Sequence, residues 1–210
     1  MSILRTKLRR DLRRNRAQFI AITVTIFLGI TLFGGSYDAY RSLVASYEQV
    51  FDDLEFADLW VSGGDTEGFA TAALEVDGVD AVDVRFQADI AVEPVADHAL
   101  FGRVVGVPTS GQPAVNQLLL LAGTGLDPGG VLVEQHMAEH FNLVVGDSVR
   151  VAAPDGWRSY RVDGIAASAE YLWPSPSRQQ LIASMEDFGV LFAANADVEQ
   201  LAGGAAINQA

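Results

Sequence analysis

Two histidines and a glutamate at positions 136–140 have the spacing closest to a catalytic motif in this sequence. His136, Glu139 and His140 form an H-x-x-E-H pattern, in which two histidines one helical turn apart can bind zinc while the glutamate activates water. A zinc hydrolase would need a third ligand, and the remaining histidine, His98, falls in a loop-like stretch. The alternative is a short helix that exposes the three side chains and packs its apolar residues inward. We favour this helix and predict no metal ligand, cofactor site or catalytic residue in the chain.

The glycine-rich stretch at 123–130 superficially resembles a phosphate-binding loop. Its sequence, Gly-Thr-Gly-Leu-Asp-Pro-Gly-Gly, lacks the lysine-serine ending of such loops, and we expect no strand directly before it. We interpret the stretch as a turn. Without a Walker lysine, ATP hydrolysis by this route is excluded.

Two aromatic residues, Tyr171 and Trp173, stand beside a pair of prolines in residues 170–178. Prolines restrict the backbone to an extended path, so the segment can display both aromatics, and they are our candidate partner contacts. The alternative is a rigid crossing loop whose aromatic side chains cover the core. We favour the crossing loop and keep Tyr171 and Trp173 as candidate partner contacts.

The charges of the chain are divided between a basic head and an acidic remainder. Residues 1–16 contain seven cations and one aspartate, a net charge of +6, and the whole chain has −13, which leaves −19 for the remainder. Short segments rich in Lys and Arg stay cytoplasmic and favour anionic lipid, so we predict a membrane-surface role for these seven side chains. They are Arg5, Lys7, Arg9, Arg10, Arg13, Arg14 and Arg16.

Residues 17–36 contain no charge, and as a helix they would match a hydrocarbon core about 30 Å thick. The threonines of this stretch can bond their hydroxyls to the preceding turn, and its glycines allow another helix to approach closely. We predict a transmembrane helix at 17–36. A cleaved signal peptide is the alternative, because small residues end the stretch, although its apolar part is longer than usual for a signal.

Helical periodicity is expected on both sides of the span. Leucines recur every four residues in residues 3–15, which predicts either an amphipathic helix on the inner leaflet or a frayed basic tail that only sets topology. Apolar residues also recur at helical intervals after the span, which predicts a stalk helix at 37–52. The predicted division is a basic head at 1–16, the span, the stalk, and an outer domain at 53–210.

The outer domain changes to short β-branched runs separated by Gly, Pro and Asp, with helical stretches between them, which predicts an α+β fold. The firmest local prediction is a hairpin whose turn is Pro154-Asp155-Gly156, within a small barrel-like subdomain. Strands are predicted at 57–62, 81–92, 100–107, 148–152, 160–166 and 189–193, and helices at 66–74, 134–141 and 198–201.

Composition excludes several classes of function. The chain has no cysteine, so disulfides, thiolate metal sites and lipid attachment through cysteine are excluded. We predict no nucleic-acid partner, because the cations lie beside a membrane span and the acidic domain would repel phosphates.

Three segments, taken in order, resemble an FtsX-like, MacB-type ABC transporter permease over essentially the whole chain. The first is the basic opening at 8–19, the second is the glycine-to-valine stretch at 130–149, and the third is 160–177 followed by the predicted strand at 189–192. The resemblance implies a membrane helix, a large extracytoplasmic domain and further membrane helices. It also implies a permease homodimer or heterodimer in the bacterial plasma membrane with a separate cytoplasmic ABC ATPase.

We therefore expect a non-catalytic permease fragment that couples ATPase motion through its membrane helix to an extracytoplasmic domain for export or release of a substrate. Relative to the family, the sequence ends before the later membrane helices, which we interpret as truncation. The alternative function is a single-pass membrane-anchored adaptor or scaffold that binds an envelope protein or ligand.

Overall fold

The computed structural model describes residues 2–176, 186–203 and 207–210, and the chain forms two compact units, Met1–Gln49 and Val50–Ala210. The first unit is helical. Helix α1 spans Ser2–Arg14 and helix α2 spans Arg16–Asp53, with Asn15 between them. Helical bonds cross this junction, since the Asn15 amide donates to the Asp11 carbonyl at 3.0 Å and the Phe19 amide donates to the Asn15 carbonyl at 3.1 Å.

The second unit is a mixed α+β domain, which confirms the predicted fold class. Helix α3 precedes its strands, and a short 3-10 helix, Ala169–Tyr171, follows the longest strand. In chain order the elements are α3 Thr66–Ala73, β1 Arg85–Val95, β2 His98–Val107, β3 Leu118–Gly123, β4 Gly130–Glu134, α4 Gln135–Phe141, β5 Ser148–Ala153, β6 Gly156–Ser168, β7 Phe188–Ala194, α5 Asn195–Ala202 and β8 Ile207–Gln209.

Six of these strands close into a barrel in the order β1-β2-β7-β4-β6-β5, with β5 returning to β1. The β2–β7 and β4–β6 pairs are parallel and the other four pairs are antiparallel. The predicted hairpin is present as β5–β6, where Ala153 pairs with Gly156 and Pro154-Asp155 form the turn. Gly156 has φ of 125°, which a glycine adopts without strain.

The barrel buries one face of each strand against the other strands. All six barrel strands contribute apolar residues to the larger core cluster, and helices α4 and α5 add Met137, Val198 and Leu201 to it. Inward and outward residues alternate along a strand, so the neighbouring residues lie on the outer face. There Val105, Leu132 and Phe192 join Tyr171 in a second, smaller cluster.

Two short strands extend the barrel at one end. Strand β8 pairs with residues 85–87 of β1, and β3 pairs with residues 164–168 of β6. We call residues 54–63 the bridging segment because they hydrogen-bond to the neighbourhood of both strands. The carbonyls of Leu54 and Glu55 accept from the amides of Gln117 and Asn116, and Val61 and Ala210 exchange two backbone bonds of 2.7 and 2.9 Å.

The structure corrects three of the sequence-based element predictions. Residues 57–62 do not form a strand, because their pairing is reduced to a single bridge between Ser62 and Gln209. Strands β3 and β4 had not been predicted, although β4 lies directly before a helix that was. The stretch at 81–92 starts its strand only at Arg85, and the strand then continues to Val95.

Candidate functional site

Helix α2 is the part of the described chain that is long and apolar enough to cross a membrane, and it lies near the N-terminus. None of its residues is buried within the chain, and Phe27, Ile30 and Phe33 are among its exposed apolar side chains. Thr25 donates its hydroxyl to the Ala21 carbonyl at 2.9 Å, so this polar group is satisfied inside the helix as expected. A surface of this kind is stable against lipid or against other helices.

The basic residues before the span lie on α1 and at the start of α2. Lys7, Arg9, Arg10, Arg13 and Arg14 are exposed, and so is Arg16. Leu8 and Leu12, one helical turn apart, are 59 % and 39 % exposed. The predicted amphipathic helix is therefore present. Its position on the membrane surface, and the side chain of Arg5, lie outside what the structure describes.

The stalk predicted at 37–52 is contained in α2, which runs without interruption to Asp53. Tyr40, Leu43 and Tyr47 recur at three- and four-residue intervals and are 64 %, 55 % and 44 % exposed. Residues at these intervals share one helical face, so the stalk has an apolar stripe that is largely exposed.

Three aromatic rings connect the last turn of α2 to the bridging segment. Phe51 belongs to the helix, and Phe56 and Trp60 belong to the segment. Phe51 stacks on Phe56 with ring centroids 4.5 Å apart, and Phe56 meets Trp60 edge-on at 5.2 Å. Such contacts add about 0.5–1.5 kcal/mol each to the burial of the rings. The end of α2 is thus packed onto the segment that bonds to both β3 and β8.

A charged pair fixes the same end of the barrel. Arg85, at the start of β1, directs both terminal nitrogens at Glu170, with contacts of 2.5 and 2.6 Å, and donates from Nε to the side-chain oxygen of Gln209 at 2.9 Å. Both side chains of the pair are only 12 % exposed. Burial alone would lower the pKa of Arg85, but the hydrogen bonds and charge of Glu170 outweigh it, so the pKa is raised and the guanidinium stays charged.

The residues of the H-x-x-E-H pattern lie within helix α4 and have structural contacts there. The buried Glu134 caps the helix by accepting from the His136 amide at 2.9 Å, and the Nδ1 of His136 lies 2.7 Å from the other carboxylate oxygen. Burial raises the pKa of Glu134, although the hydrogen bond from His136 opposes this shift. Glu139 bonds to Gln135, and His140 packs against the Phe141 ring. Among the described residues no group of three or more ligands could hold a metal ion.

The glycine-rich stretch at 123–130 is the connection between β3 and β4, so the expectation that no strand precedes it is wrong. The buried Asp163 holds it by accepting from the Asp127 amide at 2.9 Å, while Arg161 contacts both aspartates. A side chain at Gly130 would overlap the carboxylate of Asp163. The stretch is a tightly anchored turn and, on this geometry, a structural one.

The structure separates the two candidate contact aromatics. Tyr171 is buried against Phe192 in the second core cluster, so the prediction that it is displayed to a partner is wrong, and its role is the core-covering alternative. Burial raises the pKa of its hydroxyl, and the nearby Glu170 carboxylate adds to the shift. Trp173 is 70 % exposed and stays a predicted contact. The end of the 170–178 segment lies outside the described residues.

The Arg85–Glu170–Gln209 cluster was not predicted from the sequence. The partners are 85 and 124 positions apart, so no local spacing could have brought them together. The one available signal was an arginine within the strand predicted at 81–92, in an acidic domain.

Comparison with solved structures finds domains of similar fold. The extracellular domain of the noncanonic ABC-type transporter YknZ from Gram-positive bacteria matches with a TM-score of 0.42 and 12% identity, over 71% of this chain and 73% of that one. The periplasmic region of MacB from Actinobacillus actinomycetemcomitans matches with a TM-score of 0.41 and 12% identity, over 74% and 75%.

A domain of a protein described as a permease, from Porphyromonas gingivalis, matches with a TM-score of 0.41 and 17% identity, over 71% of this chain and 61% of that one. No protein-family model matches the chain, and no curated protein matches it by sequence. The three domains are what this chain is similar to in fold.

Proposed function

We propose that this chain is a permease subunit of an ABC transporter, which transmits the motion of a cytoplasmic ATPase to an extracytoplasmic domain and so drives export or release of a substrate. The observation that carries the proposal is one uninterrupted helix, α2, which follows a basic head, contains an uncharged span and ends at the bridging segment of the barrel.

The length of α2 supports a role in transmission. Its 38 residues extend about 57 Å at 1.5 Å per residue, whereas a hydrocarbon core is about 30 Å thick. Roughly half of the helix therefore lies beyond the span. A continuous helix is a stiff connection, since bending it sharply needs a proline or an inserted group, and α2 contains no proline.

The apolar stripe of the stalk supports an assembly of several helices. Tyr40, Leu43 and Tyr47 would face water in an isolated stalk, and such a stripe is stabilised by packing against a second helix. One membrane helix also cannot enclose a polar pathway, because the polar groups at membrane depth need internal partners. The proposed partners are further permease helices, within one subunit or across a homodimer or heterodimer.

The contacts at the end of α2 give a physical route into the domain. Movement of Phe51 would press on Phe56, and the adjacent carbonyls of Leu54 and Glu55 are bonded to residues 116 and 117, directly before β3. Along the same segment, Val61 is bonded to Ala210 beside β8. Displacement of α2 would thus reach two strands at one end of the barrel together.

The remaining parts of the proposal concern location and partners. The basic head, Arg5 to Arg16, contacts the cytoplasmic leaflet and the ATPase subunit, and the acidic unit lies outside the plasma membrane. The division into head 1–16, span 17–36, stalk 37–52 and outer domain 53–210 is part of this proposal. ATP hydrolysis belongs to the separate subunit, and this chain contributes no catalytic group, cofactor or nucleic-acid contact.

Co-purification tests the proposal. The full-length gene product, extracted in mild detergent, is expected to bring a nucleotide-binding subunit with it in a fixed ratio. A Tyr40→Glu/Leu43→Glu variant, which charges the stalk stripe, is expected to lose ATPase stimulation while keeping its membrane insertion. Ser42→Glu/Ala45→Glu places the same two charges on the opposite face and is the matched control. A gene product that never binds a nucleotide-binding subunit would remove the transporter assignment.

The second candidate is a single-pass anchored adaptor or scaffold that binds an envelope protein or ligand without any ATPase. The observation in its favour is that the described residues contain a single helix able to span a membrane. The gene sequence beyond the Ala210 codon separates the two candidates. Three or more further hydrophobic spans favour the permease, and an in-frame stop favours the adaptor.

A further inference from the structure

A groove of about 380 Å³ lies on the outer face of the barrel. One wall is formed by the ends of β2 and β7, and the other by the bridging segment together with residues 78–83 and helix α3. The whole groove lies within the second unit. Its volume falls in the range of roughly 300–1,000 Å³ that is usual for small-molecule sites.

The groove walls are mainly apolar and partly aromatic. Trp60 and Phe56 meet edge-on on the side of the bridging segment, and the Phe69 ring of α3, 38 % exposed, lies near the opening. On the barrel side the buried Val105 and Phe192 contribute. A flat apolar body placed between these walls would leave water, which is favourable in proportion to the apolar surface that it buries.

The single cation among the described residues of the lining is already paired. Arg85 holds both oxygens of Glu170 with its two terminal nitrogens, and its Nε is engaged by Gln209. An anionic ligand that took Arg85 would have to leave Glu170 buried without its partner, which is costly. The floor of the groove is therefore polar, neutral and closed to anions.

The rim of the groove has an excess of negative charge. Glu55, Asp58, Asp80 and Asp83 line it, and the one cation of the described lining, Arg85, is already paired with Glu170. Asp83 accepts a hydrogen bond from the Ala114 amide, which holds its carboxylate in place without neutralising it. Carboxylates around a concave, low-dielectric surface concentrate a negative potential there and attract cations.

From these features we propose that the groove binds a small cationic amphiphile, with its aromatic or aliphatic body between Trp60, Phe69 and the barrel wall and its protonated amine among the rim carboxylates. The inference does not rest on the proposed transport function, because it concerns binding alone. The apolar walls provide affinity, and the carboxylates of the rim favour a positively charged ligand over a neutral or negatively charged one.

A charge series on one ring system tests this site. The full-length chain in zwitterionic-lipid nanodiscs is titrated with 2-(1-naphthyl)ethylammonium, with 1-naphthaleneethanol and with 1-naphthaleneacetate, and empty nanodiscs serve as the blank. Binding is followed by calorimetry and by quenching of tryptophan fluorescence. The ammonium ligand is expected to bind most tightly and the carboxylate least.

Two pairs of matched variants localise the binding. Asp58→Asn/Asp80→Asn is expected to weaken the ammonium ligand roughly three- to tenfold, as expected for two partly exposed charge contacts, and to leave the alcohol unchanged. Glu75→Gln/Asp77→Asn removes the same charge from residues outside the groove and should change neither. Phe69→Ala should weaken all three ligands, whereas Leu74→Ala, at the C-cap of the same helix and outside the lining, should not.

Three results would overturn the proposal. They are equal affinity for the three ligands, binding that is identical in the two double variants, and binding that survives Phe69→Ala without loss. A thermal unfolding curve for each variant ensures that a lost affinity is measured on folded protein. Failure of the chain to bind an ATPase would leave this result unaffected, so the two proposals fail independently.

Discussion

At the scale of single residues, the Arg85–Glu170 pair is an ion pair in which both partners are largely buried. Both side chains are 12 % exposed, so removing one partner leaves the other charge in a poorly solvated place. We expect Arg85→Met to lower the free energy of unfolding by about 3–5 kcal/mol. The measurement is urea unfolding of the full-length chain in detergent, followed by tryptophan fluorescence.

The double variant Arg85→Met/Glu170→Leu separates the pair from general damage to the fold. Because it removes both charges together, we expect it to recover a large part of the stability lost in Arg85→Met. Arg158→Met removes an arginine from an exposed pair with Asp155 and is expected to change little. Additive losses in the double variant would contradict the assigned role of the pair.

Glu134 should make the outer unit less stable as the pH rises. Burial raises its pKa in the folded state above the ordinary value of 4.5, so the folded chain holds this proton over a pH range where the unfolded chain has released it. Stability from this group is full below the ordinary pKa and is lost as the pH rises through the folded value. Glu134→Gln should remove this slope from the free energy of unfolding measured against pH.

The control for this prediction is Glu139→Gln, an exposed change on the same helix α4. The slope of the unfolding free energy with pH should stay as it is in the parent chain. A Glu134→Gln variant with an unaltered slope would show that its carboxyl group is not the source of the pH dependence.

At the scale of elements, Asn116 is one of the residues that fix the bridging segment to the barrel. Its buried side chain accepts from the Ala57 amide at 3.0 Å, its own amide donates to Glu55, and its φ is 56°. Asn116→Ala leaves the Ala57 amide unsatisfied and should cost about 1–3 kcal/mol. We also expect faster hydrogen exchange at the Ala57 amide, because this amide has lost its hydrogen-bond acceptor.

Two further substitutions separate the lost hydrogen bond from backbone strain. Asn116→Asp keeps an acceptor oxygen and should protect the Ala57 amide, whereas Asn116→Gly relieves the positive φ but has no acceptor and should not. Equal exchange rates in the Asp and Ala variants would contradict the role assigned to this side chain.

Elements that obey a local pattern could be predicted from the sequence, and elements defined by remote partners could not. The β5–β6 hairpin and helix α3 follow from alternation, turn residues and periodicity over a few positions. Strand β3 contains four consecutive leucines, of which only Leu118 is buried, so it lacks the alternation typical of a strand. Its partner, β6, lies more than 40 positions further along the chain.

Sequence composition was also misleading at positions whose structure depends on residues far away in the chain. Residues 57–62 have strand-like composition, but their neighbour is Ala210, about 150 positions away, and only one bridge forms. Local composition also could not show that Tyr171 is buried in the second core cluster whereas Trp173, two positions later, is exposed. The apolar part of α2, residues 17–36, was predictable because its lack of charge is visible in consecutive residues.

At the scale of the whole molecule, the basic head should decide which side of the membrane receives the acidic unit. The chain has no cysteine, so single cysteines can report the side without background labelling. We expect Asp155→Cys to react with a membrane-impermeant maleimide in intact cells, and Lys7→Cys to react only after permeabilisation.

Reversing the charge of the head tests the cause of this arrangement. Substituting Arg9, Arg10, Arg13 and Arg14 by glutamate removes the cations that resist translocation, so labelling at Asp155→Cys should fall sharply. Replacing the same four arginines by lysine is the control and should preserve labelling. Undiminished labelling in the glutamate variant would mean that the head does not set the topology.

The two backbone bonds between Val61 and Ala210, with the bond from the Gly63 amide to the Asn208 carbonyl, place the bridging segment along one edge of β8. The other edge of β8 pairs with β1. Unpaired strand edges are templates for pairing with other chains, and native proteins cover them. The bridging segment therefore also shields this edge, and loss of its contacts would open a site for edge-to-edge aggregation.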